Sequence, residues 1–374
     1  MATAPTLTDG VVTLRAHGPD DIDDMVVMGC DAEMIRWTTV PVPFHRDDAL
    51  KWANEIAPAA WRDATAYMWA IEAESDGRPR FAGNVDVRLG PPPDIGYATA
   101  PWARGRGLMT RAVKLATRWA FEQGVPIVHW SAHDGNLASW RVAHACGFTF
   151  HGSRPLSEPQ RGELRDAWYA SLRPGDPQEP RTTWRRPPVL KGKRVVLREH
   201  TLADIPRIVE ACSDPRTRHW LTGLPSPYTT TSARDFVIGC RLDESLGKRV
   251  SWAVADPDDD RQLANVAVFN LDSPLSKGSG EVGYWAHPDA RGRGVVGEAV
   301  ELVLAHAFTP VADGGLGLHR LQLGASWGNS ASRHVAERAG FTLTGRTRKE
   351  GPTGDGELDD GAWYDLLVEE WRAR

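Results

Sequence analysis

Cysteine is scarce in this chain: Cys30, Cys146, Cys212 and Cys240 are the only four in 374 residues. None forms a CxxC pair, which excludes a disulfide framework and a zinc cluster of that type. The thiols are expected to stay reduced. Long apolar runs are missing as well, with no eighteen consecutive apolar residues, and Met1–Gly10 has neither a basic segment nor an apolar core. The expectation is therefore a cytoplasmic protein without a membrane span. Nor is there an excess of positive charge: 44 Lys and Arg stand against 49 Asp and Glu, a net charge of -5. That balance disfavours a nucleic-acid partner, because such proteins neutralise phosphates with Lys and Arg. Hydrophobic residues, at 41%, suffice for buried cores, and the length suits two compact domains. Tryptophan is over-represented at 16 residues, as large core side chains or as walls of an acceptor pocket.

The chain repeats itself. Ala103-Arg104-Gly105-Arg106-Gly107 recurs as Ala290-Arg291-Gly292-Arg293-Gly294, and Asp94-Ile95-Gly96-Tyr97 as Glu281-Val282-Gly283-Tyr284, both at an offset of 187. Asn136-Leu137-Ala138-Ser139 recurs as Asn329-Ser330-Ala331-Ser332, and Gly147-Phe148 as Gly340-Phe341, at an offset of 193. Trp168-Tyr169 matches Trp363-Tyr364 at 195, and Leu14-Arg15 matches Leu197-Arg198 at 183. Conserved order with loop-sized drift describes a tandem duplication of one long unit. Between Leu172 and Val189 the chain carries five prolines and almost no apolar periodicity. The expected organisation is a domain over 1–173, a semi-rigid linker over 174–188 and a second domain over 189–374.

Each half reads as mixed α/β. A strand at Val11–Ala16 precedes a helix at Asp20–Cys30, with Ile22, Met25, Val26 and Gly29 on one face, and more helix at 46–61. Strands follow near 66–72, 81–89 and 95–100. After Gly107, residues Met109, Ala112, Val113, Ala116 and Ala120 keep three-to-four spacing, as do Val296, Ala299, Val300, Val303 and Ala307 after Gly294. A strand, a helix opened by Asn136 or Asn329, and two last strands complete each half, a crossover unit inside a mixed sheet. The segments from Asp31 to Phe44 and from Asp214 to Tyr228 read as aromatic-bearing loops that select an acceptor or pack the first helices.

Each Arg-Gly-Arg-Gly turn falls between a strand and a helix, where amides of the first helical turn lack partners and favour an anion. Glycine permits close backbone approach, and the arginines add charge-assisted contacts. The spacing is not that of a P-loop or a dinucleotide fingerprint. Arg-Gly-Arg-Gly opening one helix, Asn-x-x-Ser opening the next, Gly-Phe at its end and a late Trp-Tyr strand resemble the GNAT superfamily of acyl-CoA-dependent N-acyltransferases, and within it the RimJ/RimL-like branch, once in each half. The resemblance implies two tandem GNAT-type domains, each a mixed, mostly antiparallel sheet flanked by helices. It implies that the backbone of Arg104, Gly105, Arg106, Gly107, Leu108, Met109 and Thr110, and that of Arg291, Gly292, Arg293, Gly294, Val295, Val296 and Gly297, hold the CoA pyrophosphate. Met109 and Val296 stand where the family has a small residue. Asn136 and Asn329 are implied as cofactor contacts, and their position equally suits a helix N-cap.

Acyl transfer from a thioester to an amine requires a neutral nitrogen, a stabilised oxyanion and a proton for the departing thiolate. Asp94 and Glu281, matched at the start of the strand that leads to the turn, are the candidate bases or plain strand-edge carboxylates. Backbone amides near Tyr97-Ala98 and Tyr284-Trp285 are candidate oxyanion donors. Ser139 and Ser332 are implied as acids, with Tyr169 and Tyr364 as alternatives. Cys146 reads as a buried small side chain, and no metal is expected. The expected function is transfer of acetyl, or another acyl group, from its CoA thioester to a primary amine of a small molecule in a ternary complex. The alternatives are acetylation of a protein N-terminus, ribosomal proteins included, and a non-catalytic acyl-CoA sensor or scaffold. The C-terminal copy follows the family wording more closely and is the expected catalytic half; the oligomeric state is left open.

Overall fold

A computed structural model describes residues 4–374. The chain divides into two compact units, Met1–Arg181 and Thr182–Arg374. The division falls inside the proline-rich segment rather than at its ends. Gln178 donates from its amide to Thr117 Oγ1 at 2.8 Å, and Arg181 to the Gly147 carbonyl at 2.7 Å, within the first unit. The Arg185 amide meets the Glu244 carbonyl, and the Trp252 indole the Pro188 carbonyl, within the second. The segment read as a semi-rigid linker is tied down on both sides of the division by these bonds.

The first unit contains β1 (Leu7–Thr8), β2 (Val12–Arg15), α1 (Ile22–Gly29), α2 (Ala32–Trp37), α3 (Arg46–Lys51), α4 (Ala57–Arg62), β3 (Ala66–Ser75), β4 (Arg78–Arg88), β5 (Asp94–Thr99), α5 (Leu108–Glu122), β6 (Val128–His133), α6 (Leu137–Ala145), β7 (Thr149–Gln160) and β8 (Glu163–Leu172). The second repeats it with β9 (Leu190–Lys191), β10 (Val196–Arg198), α7 (Ile205–Ser213), α8 (Pro215–Trp220), α9 (Thr230–Ser245), β11 (Val250–Ala255), β12 (Gln262–Phe269), β13 (Ser279–Ala286), α10 (Val295–Phe308), β14 (Arg320–Ser326), α11 (Ser330–Arg338), β15 (Thr342–Pro352), β16 (Leu358–Leu367) and a closing α12 (Val368–Arg372). Each forms an eight-stranded sheet, ordered β1-β2-β3-β4-β5-β6-β8-β7 and β9-β10-β11-β12-β13-β14-β16-β15. Every neighbouring pair is antiparallel except β5 with β6 and β13 with β14, which the α5 and α10 crossovers make parallel.

The apolar stripe read from α5 is buried at all five positions. On α10 the buried set is Val295, Ala299, Val300, Val303, Leu304, Ala307 and Phe308, so Val295 takes the core position and Val296 packs partly buried at its edge. In the segments read as loops after Asp31 and Asp214, the first six residues fold into α2 and α8, while 38–45 and 221–229 stay irregular. In each, the aspartate side chain caps the helix by accepting an amide three residues on, at 3.1 and 3.0 Å. Much of the tryptophan is core. Trp61, Trp69, Trp119 and Tyr67 pack ring on ring, the three indoles edge to face with centroids 5.0–5.5 Å apart, and Trp130, Trp140, Trp168 and Trp252 are fully buried. In the second unit Val266, Val268, Val282, Leu321 and Leu323 pack with α10 on one sheet face. Ile208, Cys212, Tyr228 and Val237 of α7, α9 and their connection make a smaller cluster, with Trp285 against it.

Glu244 near the end of α9 is 2% exposed, and burial pushes its carboxyl up to about 8. The native state thus keeps a proton that the unfolded chain releases near 4.5. Stability contributed by that proton is complete below 4.5 and is lost as pH rises towards 8. Glu244→Gln is expected to raise the second domain's melting temperature at pH 8 and to leave it nearly unchanged at pH 4, read by thermal denaturation across that range.

Candidate active site

The site begins with an interruption in each sheet. β13 and β14 share ladder pairs only from Ser279–Arg320 to Glu281–Gln322, and β5 and β6 share the single pair Asp94–His129. Beyond those positions the parallel strands diverge, so backbone groups in the middle of the sheet face a gap rather than a neighbour. Such groups need partners. In the second domain the gap opens into a cleft of about 1410 Å³, walled by Tyr284, Trp285 and Ala286 of β13, the 291–297 turn and the start of α11.

Gly107 and Gly294, at φ 73°, each occupy the left-handed position that caps α5 or α10. An L side chain there is strained, and a Cβ on Gly294 would also approach the Arg194 guanidinium to 3.0 Å. The first intrahelical bond of α10 is made by the Glu298 amide to the Gly294 carbonyl, which leaves the Val295, Val296 and Gly297 amides pointing out of the helix end. Nothing lies within 4 Å of a Cβ placed on Gly292 or Gly297. Lys191, Lys193, Arg216, Arg293 and Arg338 line the same cleft and give it a basic rim. A pyrophosphate fits this donor set: open amides, room against the backbone and cations around it.

The arginines that open the turns do something else. Arg291 is held by Asp214, the cap of α8, and by Thr217 Oγ1 at 2.7 Å, and Arg104 is held by Asp31, the cap of α2. Their guanidinium groups are therefore committed to anchoring the turn, which leaves its backbone amides as the groups open to an anion. Arg106 stacks on Trp102, 5.2 Å from its centroid, and donates to the Glu74 carbonyl at 3.2 Å. Leu108 and Met109 are buried, so the Met109 side chain leaves the turn clear, whereas Val296 borders the cleft. Asn136 and Asn329 act as N-caps, accepting the amides of Ser139 and Ser332 at 3.1 and 3.2 Å. Asn329 also lines the cleft.

Ser332 and Tyr284 meet inside the cleft. The phenol donates to the Ser332 carbonyl at 3.1 Å and lies 3.0 Å from Ser332 Oγ, and burial pushes it up to about 12. The first domain has the same pair, Tyr97 with Ser139, and Ser139 Oγ also accepts from the Trp130 indole at 3.1 Å. The tyrosine of this pair is legible in the recurrence of Gly-Tyr at an offset of 187, although the sequence reading uses only its backbone.

Tyr169 and Tyr364 are not counterparts. Tyr169 pairs with Ser131 and Gly152, whereas Trp363 pairs with Gly324 and Gly345, the matching residues of the second copy. Trp363 is therefore the equivalent of Tyr169, and Tyr364 that of Ala170. A one-residue difference in the last hairpin turns the two tyrosines to opposite faces. Tyr364 is 1% exposed, bonded to Glu337 and Arg333 of α11, and does not line the cleft; Tyr169 donates to Glu158 at 2.8 Å. Neither is hydrogen-bonded to its domain's Tyr-Ser pair, although Tyr364 lies close enough to Tyr284 to add to the rise of its pKa.

Glu281 stands at the last paired position before β13 and β14 part. By strand alternation it faces away from Val282 and Tyr284, towards the side where Trp285 packs against α7 and α9. Asn270 donates to its carboxylate at 3.0 Å, and burial raises its pKa, with nearby Glu350 adding to the rise. Asp94, its counterpart, is instead clamped by Arg88 through two contacts of 2.9 and 2.5 Å. Cys146 is buried, pushed up to about 12, with its thiol on the Thr110 carbonyl.

This geometry agrees with comparison to known proteins. The description Acetyltransferase (GNAT) domain matches residues 12–149 and again 194–342. The putative ribosomal N-acetyltransferase YdaF of Bacillus subtilis is 34% identical over 106 residues, covering 28% of this chain and 54% of that protein. The probable N-acetyltransferase YjcK of the same organism is 26% identical over 183 residues, 48% of this chain and 94% of the relative. Among solved structures, Mycobacterium smegmatis RimJ in complex with CoA-disulfide covers 49% of this chain and 89% of its own, with 22% identity and a TM-score of 0.43. With the family description matched twice, over most of its length, the chain belongs to the GNAT family of N-acetyltransferases and carries two copies of its domain in tandem.

Proposed function

We propose that the second domain transfers an acetyl group from acetyl-CoA to a primary amine, by direct attack in a ternary complex. The observation that carries this reading is the cleft itself: open helix-end amides, the diverged strands and the Tyr284–Ser332 pair line one cavity, and Glu281 stands at the point where the strands part. Acetyl-CoA would supply the activated acyl group as a thioester. The 292–297 backbone with Lys193, Arg293 and Arg338 would hold its phosphates, and the unpaired edge of β13 would meet its amide-bearing arm. Glu281 would take the proton that the amine loses as the N–C bond forms and the C–S bond breaks. Ser332, bonded to Tyr284, would return a proton to the sulfur. Family membership supports the cofactor. The name borne by YdaF supports a second reading, in which the amine is the N-terminus of a protein.

Calorimetric titration of acetyl-CoA tests the cofactor half of this reading. Wild-type chain is expected to bind, and Gly294→Trp, checked for folding by circular dichroism, to lose the second-domain equivalent; a folded wild type that binds none overturns it. Glu281→Gln is expected to lower kcat about 10²–10⁴-fold, the usual worth of a positioned base. Because the Glu281 pKa is raised, the wild-type kcat/KM profile should fall on its acid side above the ordinary carboxylate range, and this limb should vanish in the variant. Tyr364→Phe, which removes the hydroxyl bonded to Glu337 and Arg333, is expected to leave kcat within about threefold where Ser332→Ala lowers it further.

A further inference from the structure

In both domains the last hairpin brings a second carboxylate to the sheet face that bears the candidate base. The β15–β16 ladder jumps between Thr347 and Gly351, where Lys349 sits at φ 50° with its amide on Asp360 Oδ1 at 2.8 Å. The β7–β8 ladder jumps between Arg154 and Glu158, where Leu156 sits at φ 45° with its amide on Asp166 Oδ1, also at 2.8 Å. Non-glycine residues in this region are strained, and a bulge re-aims the side chains beside it. Here the carboxylates beside the jump are Glu350, which the ladder aligns with Ser157, and Glu158, which it aligns with Gly351, so the two domains reach the same aromatic position from neighbouring residues. Glu350 accepts from the Trp363 indole at 2.8 Å, as Glu158 accepts from the Tyr169 hydroxyl at the same distance. Trp363 lies against Gly324, where a Cβ would come within 3.0 Å of the ring, and the Glu350 carboxylate occupies the space a side chain on Gly361 would need.

What differs between the copies is the cation. The residue opposite Asp94 in the ladder is Arg88, whose guanidinium clamps Asp94, lies 3.7 Å from Asp86 and feels the charge of Glu158. The residue opposite Glu281 is Phe269. Among the described residues no Lys, Arg or His makes an ion pair with Glu281 or Glu350. The first domain therefore carries a positive charge of its own beside its carboxylates, and the second also holds two carboxylates on this face while an aromatic ring stands where the charge was. Like charges held together favour an incoming cation.

Building on the reading of Glu281 as base, we propose that the acceptor of the second domain carries a second positive charge, an ammonium or guanidinium group received by Glu350 over the Trp363 ring. That group takes the role that Arg88 fills in the first domain, and Arg88 bars such an acceptor there.

Steady-state acetylation by the full chain, using alkyl diamines of three to six carbons and monoamines of equal length, tests this. The best diamine is expected to exceed its monoamine in kcat/KM by up to about fivefold, the worth of one partly exposed ion pair. Glu350→Gln, an isosteric change at an exposed side chain, should erase that preference through KM. Phe269→Arg, which installs the first-domain guanidinium, should suppress the diamine more than the monoamine while acetyl-CoA titrates as in wild type. Equal kcat/KM for both series in the wild type, or a Glu350→Gln effect of the same factor on both, overturns the proposal and leaves the acetyltransferase reading standing. Failure of a chain that binds acetyl-CoA to acetylate any amine overturns both.

Discussion

Two parallel strands that pair briefly and then separate set the terms for everything else in each domain. A sheet normally satisfies its own backbone, and an interior gap leaves amides and carbonyls that only another molecule or water can satisfy. The helix that crosses over between the parting strands starts beside the gap, so its unpaired amides add to the same surface. Strand separation, helix end and glycine turn are thus one device: glycine lets the chain bend into the helix, and the crossover forces the strands to be parallel. The proposed acid and base are placed by it too, since Ser332 and its partner Tyr284 line the gap and Glu281 stands at its apex.

The two copies keep this device and diverge around it. Both hold a serine–tyrosine pair, an asparagine cap and a bulged hairpin with a carboxylate bonded to an aromatic side chain. They part company at the ladder position opposite the candidate base, Arg88 in one and Phe269 in the other. An exchange of that kind changes what a site asks of its ligand without disturbing the sheet, because both side chains project from the same extended backbone.

Much of this was legible from residue order. The α5 stripe is buried as its spacing demands, because periodicity reports burial directly. The repeat located both turns, both caps and both serines. What could not be read depends on contacts between distant segments. Arg104 and Arg291 look like anion-binding side chains until Asp31 and Asp214, more than seventy residues away, are seen to claim them. Matching Trp168-Tyr169 to Trp363-Tyr364 follows letter identity across a hairpin that is one residue longer in the second copy, and in a strand one residue exchanges the faces. α2 and α8 are too short to show a stripe, and only their capping aspartates announce them.

The aromatic cluster of the first domain has a spectroscopic consequence. Three indoles packed edge to face around Tyr67, with centroid separations of 5.0–5.5 Å, are close enough for their electronic transitions to couple. Among the described residues no such group of three indoles joins the core of the second domain, where Trp252 packs edge-on against the His306 ring, 5.7 Å between centroids. Melting of the first domain thereby acquires its own optical signature in the near ultraviolet, and each half of a duplicated chain can be watched while the other is still folded.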